Sequence, residues 1–192
     1  VAMLDDEPMV LLGYSMGGRV ALRLCSRLGS SLRGLVLIGA HPGLKDPVAR
    51  ADRAAADMAL ATQIEARGIA WFADHWSGHP LIQSQQQIEP AVLQAMQARR
   101  ASNCPVGLAN TLRGIGQGAV SPVWSTLSSI EAPVLLLTGS ADVKYSALAG
   151  EMAGSIPNAV HRLVAGAGHC VHLEAMAEAA RIVREFLDAI SG

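Results

Sequence analysis

Residues 9–19, MVLLGYSMGGR, constrain this chain more than any other stretch. An apolar run from Met9 to Leu12 stops at Gly13-Tyr14-Ser15-Met16-Gly17, and from Arg19 to Leu28 the apolar residues recur at helical spacing. A strand, a tight turn with serine at its tip, then a helix is the nucleophile-elbow pattern G-x-S-x-G. The turn projects the Ser15 Oγ beyond the end of the sheet. Gly13 and Gly17 are expected to flank it because a Cβ at either place would clash with the tightly turned backbone. The N–H of Met16, at the helix start, is expected to serve as an oxyanion donor, since the first N–H groups of a helix lack intrahelical partners and lie at its positive end. The bland alternative is a glycine-rich strand–helix turn without chemistry.

Composition narrows the setting. A chain of 192 residues, 51% hydrophobic and 16% charged, can build one domain with a real core and is too apolar for disorder. A net charge of −1 offers no basic field for nucleic acid. No apolar run is long enough to span a bilayer and no signal-peptide layout opens the chain, so a soluble, cytoplasmic protein with no membrane partner is expected. Nothing in the pattern sets an assembly state. Cys25, Cys104 and Cys170 are far apart, with no C-x-x-C, so neither zinc nor redox use is expected; Cys170 reads as a small apolar filler at a helix start. Residues 1–7 read as the tail of a helix running into a strand, which suggests a fragment.

The elbow helix runs to about Gly29. Residues 34–40, GLVLIGA, are a continuous apolar run bounded by glycine, the mark of a buried parallel strand. His41-Pro42-Gly43-Leu44 breaks it, and residues 46–128 contain no strand-like run. Helical pieces are expected at 47–67, 68–76, 89–100, 105–115 and 122–127, with a polar loop at 79–87. The sheet pattern resumes at 132–138, followed by a helix at 144–155, an edge strand at 159–164 and a closing amphipathic helix at 171–190. This predicts an α/β fold with a mainly parallel sheet: core from residues 1–45 and 129–192, and an all-helical cap, 46–128, inserted between strands over their carboxyl ends.

A serine hydroxyl needs a histidine to activate it, and the histidine needs an acid to hold its tautomer. Asp142 follows the strand ending at Thr138, and His169 follows the one ending near Val164. Parallel strands bring both loops to the edge that carries Ser15. Three motifs, each just past a strand's carboxyl end and in the chain order Ser–Asp–His, are far more specific than any one. Singly, Asp142 reads as a helix N-cap and His169 as a capping or core histidine.

Further motifs accompany these three. They are Gly13-Tyr14-Ser15-Met16-Gly17-Gly18-Arg19, His41-Pro42-Gly43-Leu44 with Arg50 and Arg53, and Phe72-Ala73-Asp74-His75-Trp76. Later come Arg99-Arg100 with Asn103 and Gly107-Leu108-Ala109, Gly139 to Lys144, and Ala167-Gly168-His169. With them the chain resembles the α/β-hydrolase superfamily over its whole length, and within it the 2-succinyl-6-hydroxy-2,4-cyclohexadiene-1-carboxylate synthases of menaquinone biosynthesis. The resemblance implies a lyase that removes a ring proton from 2-succinyl-5-enolpyruvyl-6-hydroxy-3-cyclohexene-1-carboxylate and expels pyruvate. Ser15, made basic by His169 and Asp142, would take the proton. No cofactor or metal is implied.

That substrate is a small tricarboxylate, and guanidinium suits carboxylates better than ammonium does. Thirteen of the fifteen basic residues are arginine. Arg19 lies one helical turn beyond Ser15, Arg53 is on the first cap helix, and Arg100 or Arg99 ends the third; Arg100 is preferred. Tyr14 and Trp76 would add a hydrogen-bond donor and cavity wall, and Lys144 could balance Asp142. Arg50, Arg67 and Arg113 read as solvated helix faces, Trp71 and Phe72 as cap core, and His172 as a helix-start residue. His41, His75, His79 and His161 lack metal-ligand partners at usable spacing. The family's His-Gly-Phe-type loop, which supplies a second oxyanion donor, is absent, as are several strands; the expectation is an N-terminally truncated and inactive chain. An ordinary serine hydrolase of a small ester, thioester or carbon–carbon bond is the alternative. A non-catalytic binding module is a third reading, but it has no need of all three of Ser15, Asp142 and His169.

Overall fold

The computed structural model describes residues 7–191. The expected helix tail at 1–7 falls, but for Glu7, outside them. The chain divides into two compact units, one built from the chain up to Pro42 and from Ser125 onward, the other from Gly43–Trp124.

The first unit is a parallel four-stranded sheet in the order β1 (Met9–Tyr14), β2 (Leu32–Ile38), β3 (Val134–Gly139) and β4 (Ala159–Val164). Tyr14 aligns with Ile38, and Gly139 with Val164, so the strands finish at one edge. Every residue of β3, and all of β2 except Arg33, is buried, which is why both read as unbroken apolar runs. Each fully buried Leu or Val there contributes roughly 1.5–3 kcal/mol. β4 alternates and carries exposed Arg162 and Leu163, as an edge strand does. β1 also pairs on one side among the described strands, with Val10 39% and Leu12 58% exposed.

Helix α1 (Met16–Leu28) follows β1 and packs on β1 and β2. The loop to α5 (Val143–Ala153) follows β3, and α6 (Val171–Glu174) and α7 (Met176–Ser191) follow β4. Val36, Ile38, Leu135 and Leu137 point to the face covered by Val171, Ala179 and Ile182 of α6 and α7. The closing helix is thus two, not the single one expected at 171–190. Ala175, at φ −138° and ψ 56°, breaks it. The strand predicted at 34–40 begins two residues earlier, and the one predicted at 132–138 begins two residues later. Strand pairing defines those starts: Leu32 aligns with Met9 of β1, and Val134 N–H reaches the Asn158 carbonyl.

The second unit is helical. Helix α2 (Pro47–Ser77) is capped by Asp46, whose carboxylate accepts from the N–H groups of Val48 and Ala49. The two pieces expected at 47–67 and 68–76 join across a kink at Gly68, φ 82° and ψ 177°. Residues 79–87, expected as a loop, instead form a 3₁₀ helix at Pro80–Gln87, because His79 caps it by accepting from Leu81 N–H and Pro80 suits its first position. Helix α3 (Pro90–Ala101) is capped by Glu89, and α4 (Pro105–Ile115) packs against α2. The piece expected at 122–127 is a 3₁₀ helix, Trp124–Ser129, which but for Trp124 belongs to the first unit. Phe72 is buried, and Trp71 stacks on His75 with the Arg67 guanidinium over its ring.

Candidate active site

β1 ends at Tyr14, and Ser15 turns the chain into α1. Its φ of 49° is the one positive value among the described non-glycine residues, a strained conformation that costs on the order of 1–3 kcal/mol and persists because the surroundings hold it. Ser15 N–H donates to the Ile38 carbonyl at 2.8 Å, tying the elbow to the end of β2. A Cβ on Gly13 would lie 2.6 Å from the Gly18 backbone, and one on Gly18 would lie 2.3 Å from the Ala40 Cβ. Gly13 is therefore needed as expected. The steric argument for Gly17 fails, because a Cβ there meets nothing within 4 Å. The close approach is between Gly13 and Gly18, since it is the helix's third residue that passes over the strand.

His169 lies in the loop after β4, with its Nε2 3.0 Å from the Ser15 Oγ and its Nδ1 2.6 Å from the Asp142 Oδ2. Asp142 and His169 are both buried. The other carboxylate oxygen of Asp142 accepts from Tyr145 N–H at 3.3 Å, so Asp142 caps α5 and holds the histidine at once. With Nδ1–H pointed at a carboxylate, Nε2 is left to accept the serine proton, the division of labour a Ser–His–Asp relay requires. Backbone bonds lace the loops together: Ser140 N–H to the Val164 carbonyl and Ala141 N–H to the Ala167 carbonyl, both at 2.9 Å. Met16, the candidate oxyanion donor, is the first residue of α1.

Around the relay, Tyr14 sets its ring 5.4 Å from that of His169 and 4.5 Å from that of His172. Burial, helped by the Cys170 thiol beside it, pushes the Tyr14 phenol well above its ordinary pKa, so it stays a protonated donor. Arg19 is buried, 8% exposed, one turn along α1 from Ser15. Cys170 is buried at the start of α6, as a small filler would be. His172 is half-buried, and burial lowers its pKa.

In the helical unit, Arg53 donates from Nε to Asp57 Oδ1 at 2.7 Å; the Arg53 side chain is 38% exposed and that of Asp57 5%. Trp76 stacks between Phe72 and His79, at 5.6 and 4.7 Å. Burial lowers the His79 pKa, helped by the positive charges of Arg53 and His75. Arg100 is half-buried and reaches the Gln85 Oε1 at 3.4 Å, whereas Arg99 is exposed. Arg113, expected on a solvated face, pairs bidentately with Glu65. Lys144 is exposed.

Four residues around the relay make contacts that the sequence alone did not assign to them. Tyr145 packs its ring 4.4 Å from that of His169, and its position three residues after Asp142 on a helix was an available signal. Buried His41 packs edge-on against Tyr145. Gly39, at φ 53°, leaves room for the histidine: a Cβ would stand 2.9 Å from the His169 Cε1. Glu174 accepts from the N–H groups of Gly168 and Cys170. Among the described residues no three His, Cys, Asp or Glu side chains gather to hold a metal, and no helix is long and apolar enough to cross a membrane.

The model of the alpha/beta hydrolase family matches residues 1–182. A Bacillus subtilis protein provisionally named 2-succinyl-6-hydroxy-2,4-cyclohexadiene-1-carboxylate synthase is 37% identical over 180 residues, 94% of this chain and 66% of the relative. A synthase of that name from Klebsiella pneumoniae is 31% identical over 84% of this chain and 61% of its own. The chain thus spans just under two thirds of the length of these curated relatives. The solved structure of MenH from S. aureus superposes with a TM-score of 0.94 at 33% identity, over 97% of this chain and 70% of that one. An esterase from Thermogutta terrifontis shares the fold, with a TM-score of 0.82 at 24% identity over 96% of this chain and 66% of that one. A family model that spans nearly the whole chain, and a parallel sheet that delivers serine, aspartate and histidine in the order this fold uses, lead to one assignment: the chain belongs to the alpha/beta hydrolase family.

Proposed function

We propose that the protein is a carbon–oxygen lyase of menaquinone biosynthesis, acting in the cytoplasm. It eliminates pyruvate from 2-succinyl-5-enolpyruvyl-6-hydroxy-3-cyclohexene-1-carboxylate to leave 2-succinyl-6-hydroxy-2,4-cyclohexadiene-1-carboxylate. The observation that carries the reading is the Ser15–His169–Asp142 relay with a buried arginine one turn from the serine. The synthase names of the relatives support it. A serine beside a fixed cation suits a substrate rich in carboxylates better than it suits a neutral ester.

In this reading the Ser15 proton passes to His169 Nε2, and the serine oxygen takes the ring proton. The electron pair freed from that C–H bond, at ring carbon 2, forms the double bond to carbon 3; the existing pair between carbons 3 and 4 shifts to join carbons 4 and 5, and the bond from carbon 5 to the enolpyruvyl oxygen breaks. Pyruvate leaves as its enolate and takes up a proton. Asp142 stabilises the imidazolium that forms in between. The Met16 N–H, at the positive end of α1, faces developing negative charge. Arg19, Arg53 and Arg100 take the substrate's carboxylates, with Tyr14 as a neutral donor and Trp76 as wall. The helical unit acts as the cap.

The test is pyruvate release from the pathway substrate by the intact protein, followed with a lactate dehydrogenase couple. Ser15→Ala is expected to lower kcat by about a thousandfold or more. Hydrolysis of p-nitrophenyl acetate with no pyruvate formed would select the serine hydrolase instead.

A further inference from the structure

The relay's histidine is held from two directions. Its ring is fixed by Ser15 and Asp142, and its backbone by Glu174. Glu174 Oε2 accepts from Gly168 N–H at 2.6 Å, and Oε1 accepts from Cys170 N–H at 2.9 Å. These are the residues on either side of His169, so one carboxylate grips both peptide groups that set where the imidazole starts. The loop has no strand or long helix to stabilise it: α6 has four residues and ends at Glu174 itself. Gly168 and Cys170 are buried, so removing Glu174 would take from their N–H groups, away from water, the carboxylate that accepts from both. Hydrogen bonds to a charged acceptor are the strong ones, and two from one carboxylate fix direction as well as distance. A negative charge in the first turn of α6 also suits the helix's positive end.

We propose that Glu174 is a positioning residue for His169: its bidentate grip on the Gly168 and Cys170 N–H groups keeps the imidazole within reach of both Ser15 Oγ and Asp142 Oδ2. The proposal rests on the reading of Ser15–His169–Asp142 as the working relay. It differs from a plain capping role, in which Glu174 would stabilise α6 and leave the relay indifferent. The relay's bonds are 3.0 and 2.6 Å, and catalysis is steep in such distances: a shift on the order of 1 Å can cost about a hundredfold.

The experiment compares Glu174→Gln and Glu174→Ala with wild type in the intact protein. Glu174→Gln keeps one acceptor and guards against outright unfolding of the alanine variant. Three readouts are taken: the far-downfield proton resonance of the short His169 Nδ1–H···Asp142 bond, kcat and KM for pyruvate release, and thermal melting. The expected result is loss or strong broadening of that resonance. With it, kcat falls about tenfold for Glu174→Gln and about a hundredfold for Glu174→Ala, with KM within about twofold. A lowered melting temperature with the resonance and kcat unchanged would overturn the proposal and leave Glu174 a helix cap. If wild type releases no pyruvate but the resonance vanishes in both variants, the positioning role stands and the lyase reading fails.

Discussion

In the sheet unit, Ser15, Asp142 and His169 come from three loops far apart in sequence and finish within hydrogen-bonding distance of one another. In the helical unit, Arg53, Trp76 and Arg100 each settle on a nearby partner of their own: Asp57, the Phe72–His79 stack and Gln85. The difference follows from what carries the side chains. Parallel strands in fixed register end at one edge, so residues just past them must meet. A helix offers a new direction every 100°, so spacing along it leaves open which neighbour a long side chain will find. On the proposed function, the sheet unit would carry chemistry that a substitution breaks by moving atoms. On the same reading, the helical unit would carry recognition that a substitution changes by altering charge.

After removal of the Ser15 hydroxyl itself, the largest effect is expected from Gly39→Ala. It forces a Cβ into a left-handed backbone and to within 2.9 Å of the His169 Cε1. Activity should fall about a hundredfold as the imidazole is displaced, and stability by about 1–3 kcal/mol. Unchanged kcat would show that the relay tolerates movement and would blur the contrast between the units.

Next comes the Arg53–Asp57 pair. Arg53→Ala leaves the buried Asp57 carboxylate without its cation. The expected cost is about 1–3 kcal/mol, toward the lower end because Arg53 is more than a third exposed. KM should rise roughly tenfold with kcat nearly kept. The double variant Arg53→Ala/Asp57→Ala separates the two roles. Recovered melting temperature with KM still raised marks Arg53 as a substrate contact, whereas recovery of both marks the pair as structural.

The smallest effect concerns pH. Burial holds the pKa of His161 and His172, in the sheet unit, below that of a free imidazole, and His79 in the helical unit is lowered in the same direction. Between the depressed folded values and about 6.5 the unfolded chain binds more protons, so stability rises with pH across that window. It is fully present above the window and lost on acidification. Melting temperature should drop as the pH falls below about 6.5. His161→Gln should flatten that slope, even though it disturbs the 2.7 Å contact with the Thr138 hydroxyl. A slope identical in the variant would move the cause elsewhere.

Several features were legible in the residues themselves. The buried runs of β2 and β3, the strand–serine–helix turn and the two later loops follow from apolar patterning and turn chemistry, which act over a few neighbours. Those local rules were enough to name Ser15, Asp142 and His169. What needed the folded chain were contacts between residues with no fixed sequence spacing. Gly18 rather than Gly17 sits against Gly13, because the helix's passage over the strand decides which hydrogen-only position is crowded. Gly39 makes room for a histidine 130 residues later, and Tyr145 packs on that histidine with His41 edge-on behind it. Arg53 turns to Asp57, because an ion pair with a buried acid is available on the next helical turn. The sequence by itself determined which groups could react and at which edge of the sheet they would stand. Only the tertiary structure decided what holds them there, because packing and hydrogen-bond partners are chosen across distances that periodicity does not encode.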